Sequence, residues 1–145
     1  MSLPFNLQSA YLLVCEKILN EEDGVPSAIR IVDICYFSAY EEIPVERRLV
    51  RVGVLGVLKS AENDVTERTL EVKVDSPDGK EIPVVPPQKV KLDRRIPEAP
   101  GGHTLSLDLH IRARKPGTHI IKMLLDGEEV ARASVTLLPQ PVSEA

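Results

Sequence analysis

The sequence predicts an all-β domain in which two antiparallel sheets pack as a sandwich of about eight strands. Three observations support this fold class. Short runs rich in apolar and β-branched residues recur along the chain, separated by Gly, Pro, Asn and Asp turn signals. Asp-Gly pairs at residues 78–79 and 126–127 lie between apolar runs, as in hairpins. Residues 68–75 and 103–114 alternate apolar and polar positions, as half-exposed strands do.

The length and composition of the chain limit its organisation and its partners. The 145 residues fit one domain, spanning 1–145, with loosely ordered segments expected at 1–7 and 139–145. A net charge of −4 argues against a general attraction to nucleic acid or to anionic membranes. Aromatic residues make up only 3% of the chain, which leaves few rings for stacking on sugars or unpaired bases. No targeting or membrane-spanning segment is evident, so we expect a cytoplasmic protein.

The first predicted strand, residues 9–19, fits either a short amphipathic helix or a strand by its pattern. A turn-rich loop and a β-branched run at residues 28–37 follow it, and this order favours an antiparallel pair of strands. Residues 48–60 form a long predicted strand that contains Gly53 and Gly56. Glycine inside a strand marks a bulge or a close backbone approach, and we expect a bend where this strand switches sheets.

The two cysteines, Cys15 and Cys35, flank this predicted hairpin. A hairpin centred near Val25 places them opposite each other, so a cross-strand disulfide is geometrically possible. The alternative is two free thiols packed as small apolar side chains in a reducing compartment. No metal site is predicted, because the sequence has no Cys-x-x-Cys or His-x-x-x-His spacing.

The predicted strand at residues 68–75 ends in Ser-Pro-Asp-Gly. This turn chemistry predicts a three-residue loop that pairs Val74 with Ile82. Prolines interrupt the next run, and because proline cannot donate to a ladder, we place this run at a sheet edge. A Pro/Gly loop at residues 93–102 then leads into the alternating strand at residues 103–114.

The closing hairpin spans residues 115–138 and turns at Asp126-Gly127. Side chains alternate between the two faces of a strand, so the loop length decides whether the apolar sets of both arms share a face. A two-residue loop places them on opposite faces. We therefore predict a three-residue loop at residues 125–127 with a bulge, which pairs Ile121 with Ala131.

Three stretches of the chain resemble known proteins. Residues 70–84, LEVKVDSPDGKEIPV, and residues 115–137, KPGTHIIKMLLDGEEVARASVTL, resemble the strands and corners of bacterial immunoglobulin-like domains. Residues 10–37 resemble the opening of an uncharacterised family of small bacterial proteins with this architecture. The resemblance implies an immunoglobulin-like β-sandwich, although the chain lacks the core Trp of antibody domains. It implies no activity, because a fold alone does not determine a function.

One candidate contact site is an aromatic cluster formed by Tyr36, Phe37 and Tyr40, which holds three of the five aromatic residues. Exposed tyrosines anchor many interfaces, so the cluster is a candidate for contact with a partner. The alternative interpretation is that these rings cover one end of the core.

A second candidate contact site lies on the predicted strand at residues 103–114, where His110, Arg112 and Arg114 share a face with Asp108. These cations form a positive stripe suited to an anionic ligand. The alternative is an ordinary solvated strand face, because carboxylates are interspersed with the basic residues along the chain.

No motif in the sequence places a catalytic nucleophile, a phosphate-binding loop or a cofactor site. We therefore expect a non-catalytic module that binds a protein partner or packs with copies of itself, with no cofactor, no nucleic acid and no membrane as a partner. The alternative is a domain that binds a small carbohydrate or anion through the loops at residues 38–46 and 93–102.

Overall fold

The computed structural model describes residues 3–20, 22, 25–37, 49–61, 64–94, 96–113 and 115–140. In these ranges a 3-10 turn, Pro4–Asn6, precedes nine strands. The strands are β1 (Leu7–Asn20), β2 (Pro26–Ile31), β3 (Ile34–Phe37), β4 (Leu49–Ser60), β5 (Asp64–Asp75), β6 (Glu81–Leu92), β7 (Gly101–Arg112), β8 (Gly117–Leu125) and β9 (Glu128–Pro139).

The nine strands form two sheets that pack face to face. The four-stranded sheet has the order β2-β1-β4-β7 and is antiparallel throughout. The five-stranded sheet has the order β3-β9-β8-β5-β6, and in it β3 runs parallel to β9 while the other pairs are antiparallel. The predicted all-β sandwich is confirmed, with nine strands in the described part of the chain instead of about eight.

A hydrophobic core lies between the two sheets. Alternate side chains of β4 and β7 point into it from one side, and alternate side chains of β5, β8 and β9 from the other. Its most deeply buried members include Val52, Val54, Leu70, Val72, Ile121, Met123, Leu125 and Leu137. Burying one such side chain contributes roughly 1.5–3 kcal/mol, so the apolar alternation in the sequence is what holds the sheets together.

The run at residues 28–37 is not one strand, as predicted, but two. β2 pairs with β1 in the four-stranded sheet, and after Asp33 the chain crosses to pair β3 with β9 in the other sheet. Cys15 therefore lies opposite Ile31 and not opposite Cys35. Both thiols are free. The predicted β1 is confirmed as a strand.

The two glycines inside β4 mark close approaches. A Cβ atom on Gly53 would lie 2.9 Å from Sγ of Cys15, and one on Gly56 would lie 3.0 Å from Sδ of Met123. β4 stays in one sheet along its whole length, paired with β1 on one side and β7 on the other. The predicted sheet switch at these glycines is therefore wrong, and close packing is the reason for them.

The closing hairpin has a two-residue loop. Asp126 and Gly127 have φ angles of +50° and +82°, and Leu125 pairs directly with Glu128. Two consecutive positive φ values at the tip of a hairpin define a type I′ turn. The predicted three-residue loop at residues 125–127 is wrong.

A bulge in β9 places the apolar sets of both hairpin arms on the same face. This was the reason for predicting a longer loop. The ladder register shifts by one residue between Glu129 and Ala131, which leaves Val130 as the extra residue. Beyond the bulge Ile121 pairs with Ala133, so the apolar sets of both arms face the core. We predicted correctly that the apolar sets of both arms are buried. A bulge within β9 makes this possible, and not a longer turn.

The corner at residues 76–79 does follow the predicted geometry. The backbone N–H of Ser76 donates to the carbonyl of Lys80, Gly79 has a φ of +84°, and Val74 pairs with Ile82. The proline-rich β6 lies at the edge of its sheet, as predicted.

The two ends of the chain contact the rest of the domain where they are described. Leu7 is buried, and Phe5 and Leu3 pack against the core. At the other end, the N–H of Gln140 donates to the carbonyl of Phe37, while residues 141–145 lie outside the described ranges. In the described part of the chain, no helix is long and apolar enough to cross a membrane.

His119 on β8 is a buried ionisable group, with only 1% of its surface exposed. Its Nδ1 lies 3.1 Å from the carbonyl oxygen of Gly117, and its Nε2 has no hydrogen-bond partner among the described residues. Burial lowers the pKa of His119, because the imidazolium would lose its hydration. The hydrogen bond to Gly117 and the negative charge of Asp78 oppose this effect.

We expect the stability of the domain to fall below neutral pH because of His119. The unfolded chain binds the proton more tightly, so this contribution is complete above the unfolded pKa of about 6.5 and is lost as the pH falls through and below it. Urea unfolding at several pH values checks this, with His119→Leu expected to flatten the dependence between about pH 7 and pH 5. The control is His110→Gln, which replaces an exposed histidine. An unchanged slope in His119→Leu would show that other groups carry the pH dependence.

Candidate functional site

A groove at the surface of the sandwich is lined by residues of β1, β2, β3, β4 and β7. It consists of two adjacent clefts that share Glu16 and Arg51 in their linings. We define this basic groove by seven of its lining residues, which are Glu16, Lys17, Arg30, Tyr36, Leu49, Arg51 and Asp108. The groove therefore combines basic, acidic and apolar side chains from strands of both sheets.

Strand alternation and register place the cations of β4 and β7 side by side at the groove. Arg51 is exposed because its neighbours in β4, Val50 and Val52, point into the core. In the β4–β7 ladder, Arg51 pairs with His110, and the next outward pair joins Leu49 and Arg112. Directly opposed side chains have Cβ atoms about 5 Å apart, so His110 and Arg112 border the groove.

An irregularity in β2 brings a further arginine to the groove. Arg30 has a φ of +54°, which is uncommon for a residue other than glycine, and the alternation of β2 is broken there. Ile29, Arg30 and Ile31 are consequently all exposed. The guanidinium of Arg30 lies 3.2 Å from the carboxylate of Glu16 across the β1–β2 pair.

Arg51 and Asp108 form the most extensive ion pair of the groove. Nε of Arg51 donates to both carboxylate oxygens of Asp108, at 2.9 and 3.0 Å, and Nη2 donates to Oδ2. These hydrogen bonds hold the pKa of Asp108 below its usual value, with the charges of Arg51 and His110 adding to the effect. Asp108 is therefore ionised at neutral pH and fixes the direction of the Arg51 side chain.

Among the described residues, the groove and its border carry more permanent cations than carboxylates. Arg30 and Arg51 are each paired with one carboxylate, whereas Lys17 and Arg112 have no ion-pair partner among the residues that the structure describes. Four permanent cations thus face two carboxylates, although the whole chain has a net charge of −4. The electrostatic potential of this surface is set by local charges and not by the sum over the chain.

The predicted aromatic cluster divides between the surface and the core. Tyr36 is 56% exposed and lines the groove, whereas Phe37 is 4% exposed and belongs to the core. Their neighbouring positions in β3 give them opposite faces. Tyr40 lies outside the described residues. Phe37 thus covers the core, while Tyr36 remains an exposed candidate for contact with a partner.

The predicted positive stripe on β7 is exposed. His110 and Arg112 lie on the outer face of the four-stranded sheet, and Arg114 lies outside the described residues. Arg30 and Lys17 were not singled out from the sequence, because their position depends on the irregular β1–β2 pair. Arg51 was visible only as a basic residue in a predicted strand, and its place beside His110 depends on the β4–β7 register.

The described residues contain no group of three or more His, Cys, Asp or Glu side chains that could hold a metal ion. Asp108 shares a face with His110, but its hydrogen bonds go to Arg51. Burial raises the pKa of both thiols, Cys15 and Cys35, so neither is activated as a thiolate. The groove is therefore suited to binding an anion, and its described residues form no arrangement typical of a nucleophile.

The sequence matches no protein-family model and no curated protein. The fold is similar to that of Pseudomonas fluorescens alkylpurine DNA glycosylase AlkC, solved bound to DNA containing an abasic site analogue. The TM-score is 0.51 at 16% sequence identity. The match covers 88% of this chain and 30% of the glycosylase chain, so this domain spans less than a third of that enzyme. At this level of identity, the likeness shows a shared fold.

This likeness corrects two expectations from the sequence. A module that binds a protein partner or itself, with a carbohydrate or anion domain as the alternative, is not retained, because the similar structure is a DNA-bound enzyme. The exclusion of nucleic acid is also wrong for the same reason. It rested on the few aromatic residues and on the net charge of the whole chain, and this net charge hides the local excess of cations at the basic groove.

Proposed function

We propose that this domain binds DNA through the basic groove, with His110 and Arg112 at its border. The observation that carries the proposal is the local excess of cations, since Lys17 and Arg112 have no ion-pair partner among the described residues. Phosphate groups are the natural counter-charge for such side chains, and they supply most of the affinity in non-specific DNA binding. The DNA in the similar glycosylase structure supports the choice of this polyanion.

The outer face of the five-stranded sheet is a poorer candidate for the same role. The cations on its strands β8 and β9 are neutralised by carboxylates of the same face. Lys122 lies 3.0 Å from Asp75 and 2.7 Å from Glu81, and Arg132 lies 2.7 Å from Glu129. A phosphate approaching these two strands would have to displace these carboxylates, so we assign DNA to the four-stranded sheet.

The role of the domain is proposed as binding and not as catalysis. The glycosylase is an enzyme, but this chain corresponds to only 30% of it, and its activity is not transferred. The absence of a catalytic motif in the sequence motivates this part of the proposal. Incubation of the purified protein with DNA containing alkylated bases checks it, and release of free base would contradict it.

We further propose that the sandwich is of the immunoglobulin-like kind, in a protein of the bacterial family that the sequence resembles. The neighbouring strands β5-β8-β9 in one sheet and β1-β4-β7 in the other support this, because immunoglobulin domains place their strands C-F-G and A-B-E in corresponding sheets. A cytoplasmic location is part of the proposal. It is supported by the two free thiols, which are typical of a reducing compartment.

The test of DNA binding is a fluorescence anisotropy titration of labelled DNA at several salt concentrations. With about three phosphate contacts, the logarithm of the association constant should fall with the logarithm of salt with a slope of about −3. We expect a Kd on the order of 10⁻⁴ to 10⁻⁶ M. Arg132→Ala, on the other sheet, is the control and should not change the titration. No salt-dependent binding of any DNA would refute the proposal.

A further inference from the structure

We infer that the basic groove takes single-stranded DNA in preference to duplex DNA, with one base stacked on the ring of Tyr36. The inference rests on the proposed function and specifies which form of DNA the groove binds. It is carried by an exposed ring that lies in the same cleft as two arginines.

The ring of Tyr36 is held at the surface by the strand that carries it. β3 is only four residues long and lies at the edge of its sheet, paired with β9 on one side. Phe37 anchors the strand in the core, and strand alternation then turns Tyr36 outward, where it is 56% exposed. Leu49, on the same cleft, is 57% exposed. This cleft therefore offers water-exposed apolar surface in the middle of a charged surface.

Exposed apolar surface between cations matches unpaired nucleotides better than a duplex. In a duplex, the flat faces of the bases are stacked on each other, and the outside presents phosphates and base edges. A single strand presents phosphates and free base faces within one nucleotide. Arg30 and Arg51 line the cleft beside Tyr36, so phosphates and a base face have complementary groups there.

The described part of the chain limits this mode to one stacked base. Its exposed aromatic rings are Tyr36 and Tyr11. Tyr11 lies on β1, where it pairs with Val57 of β4 outside the groove. Phe37 is buried, and Phe5 lies under the guanidinium of Arg68. One stacked base adds about tenfold in affinity and little sequence preference. The low aromatic content of the chain therefore limits the strength of stacking and does not exclude it.

The test compares Tyr36→Ala with the native protein on two fluorescein-labelled probes, an oligothymidylate of about 12 nucleotides and a duplex of about 12 base pairs. We expect the native protein to bind the single strand more tightly. Tyr36→Ala should weaken single-strand binding by about tenfold and leave duplex binding unchanged. Tyr36→Phe should retain the affinity, because the ring is retained. Tyr11→Ala is the matched control for loss of an exposed ring.

The outcomes separate this inference from the proposed function. If the duplex binds as tightly as the single strand, or if Tyr36→Ala weakens neither probe, the preference is wrong while DNA binding stands. If Tyr11→Ala causes the loss instead, the stacking site is wrong. If neither probe binds in a salt-dependent way, the proposed function itself fails.

Discussion

Reversing the charges of Arg51 and Arg112 together should reduce the affinity of the domain for DNA by at least about 100-fold at low salt. Each substitution by Glu removes one phosphate contact and adds a carboxylate that repels the backbone. Arg51 and Arg112 belong to neighbouring outward pairs of the β4–β7 ladder, so both losses act on one stretch of DNA. Anisotropy titrations of the double variant measure the effect, and the slope of affinity against salt should become shallower by about 2.

Two controls make the charge-reversal result specific. The side chains of Arg51 and Arg112 are exposed, so thermal unfolding of the double variant should remain close to that of the native protein. A charge-matched comparison sets the single variant Arg51→Glu against Arg132→Glu on the five-stranded sheet, since both are exposed arginines with a carboxylate partner. An equal loss of affinity in Arg132→Glu would mean that only the net charge matters and that the basic groove is not the binding surface.

Removing Arg68 should cost the domain about 2 kcal/mol of unfolding free energy. Its side chain is only 17% exposed and joins three parts of the chain. Nε lies 2.9 Å from Oδ2 of Asp64, Nη1 lies 3.0 Å from Oδ2 of Asp126, and the guanidinium lies 4.5 Å from the ring centroid of Phe5. Arg68→Ala leaves two partly buried carboxylates without their cation and removes the cover of the ring.

The loss of Arg68 should also weaken the attachment of the closing hairpin to β5. Oδ1 of Asp126 accepts a hydrogen bond from the backbone N–H of Thr69, at 2.8 Å, so this type I′ turn is tied to β5. Urea unfolding of Arg68→Ala measures the effect, with Arg132→Ala as the control for an exposed pair that should leave stability nearly unchanged. If the two variants are equally stable, the Arg68 cluster is an ordinary surface ion pair.

The strands were predictable from the sequence because burial imposes a period of two on them. The alternation at Leu70, Val72 and Val74 identifies the inner face of β5, and the same rule applies along β7. The turn at residues 76–79 was predictable in detail, because Pro and Gly there fix the backbone directly. These features depend on neighbours in the sequence, and such local rules suffice for them.

The predictions that failed concern features that depend on residues close in space but distant in the sequence. The bulge at Val130 changes which residues pair without leaving a turn signal in the sequence. The division of residues 28–37 between two sheets separates Cys15 from Cys35, which a simple hairpin would have joined. The basic groove likewise required the β4–β7 register and the left-handed Arg30, so a charge count along the chain did not find it.

The location of the DNA site is tested most directly by amide chemical-shift mapping of ¹⁵N-labelled protein during titration with an oligothymidylate. We predict that the largest shifts cluster at the basic groove and its border, in β3, the first half of β4 and the second half of β7, and include Tyr36, Arg51 and Arg112. The outer face of the five-stranded sheet, around Lys122 and Arg132, should remain unshifted. Shifts centred on that face, or no shifts at saturating oligonucleotide, would contradict the assignment of DNA to the basic groove.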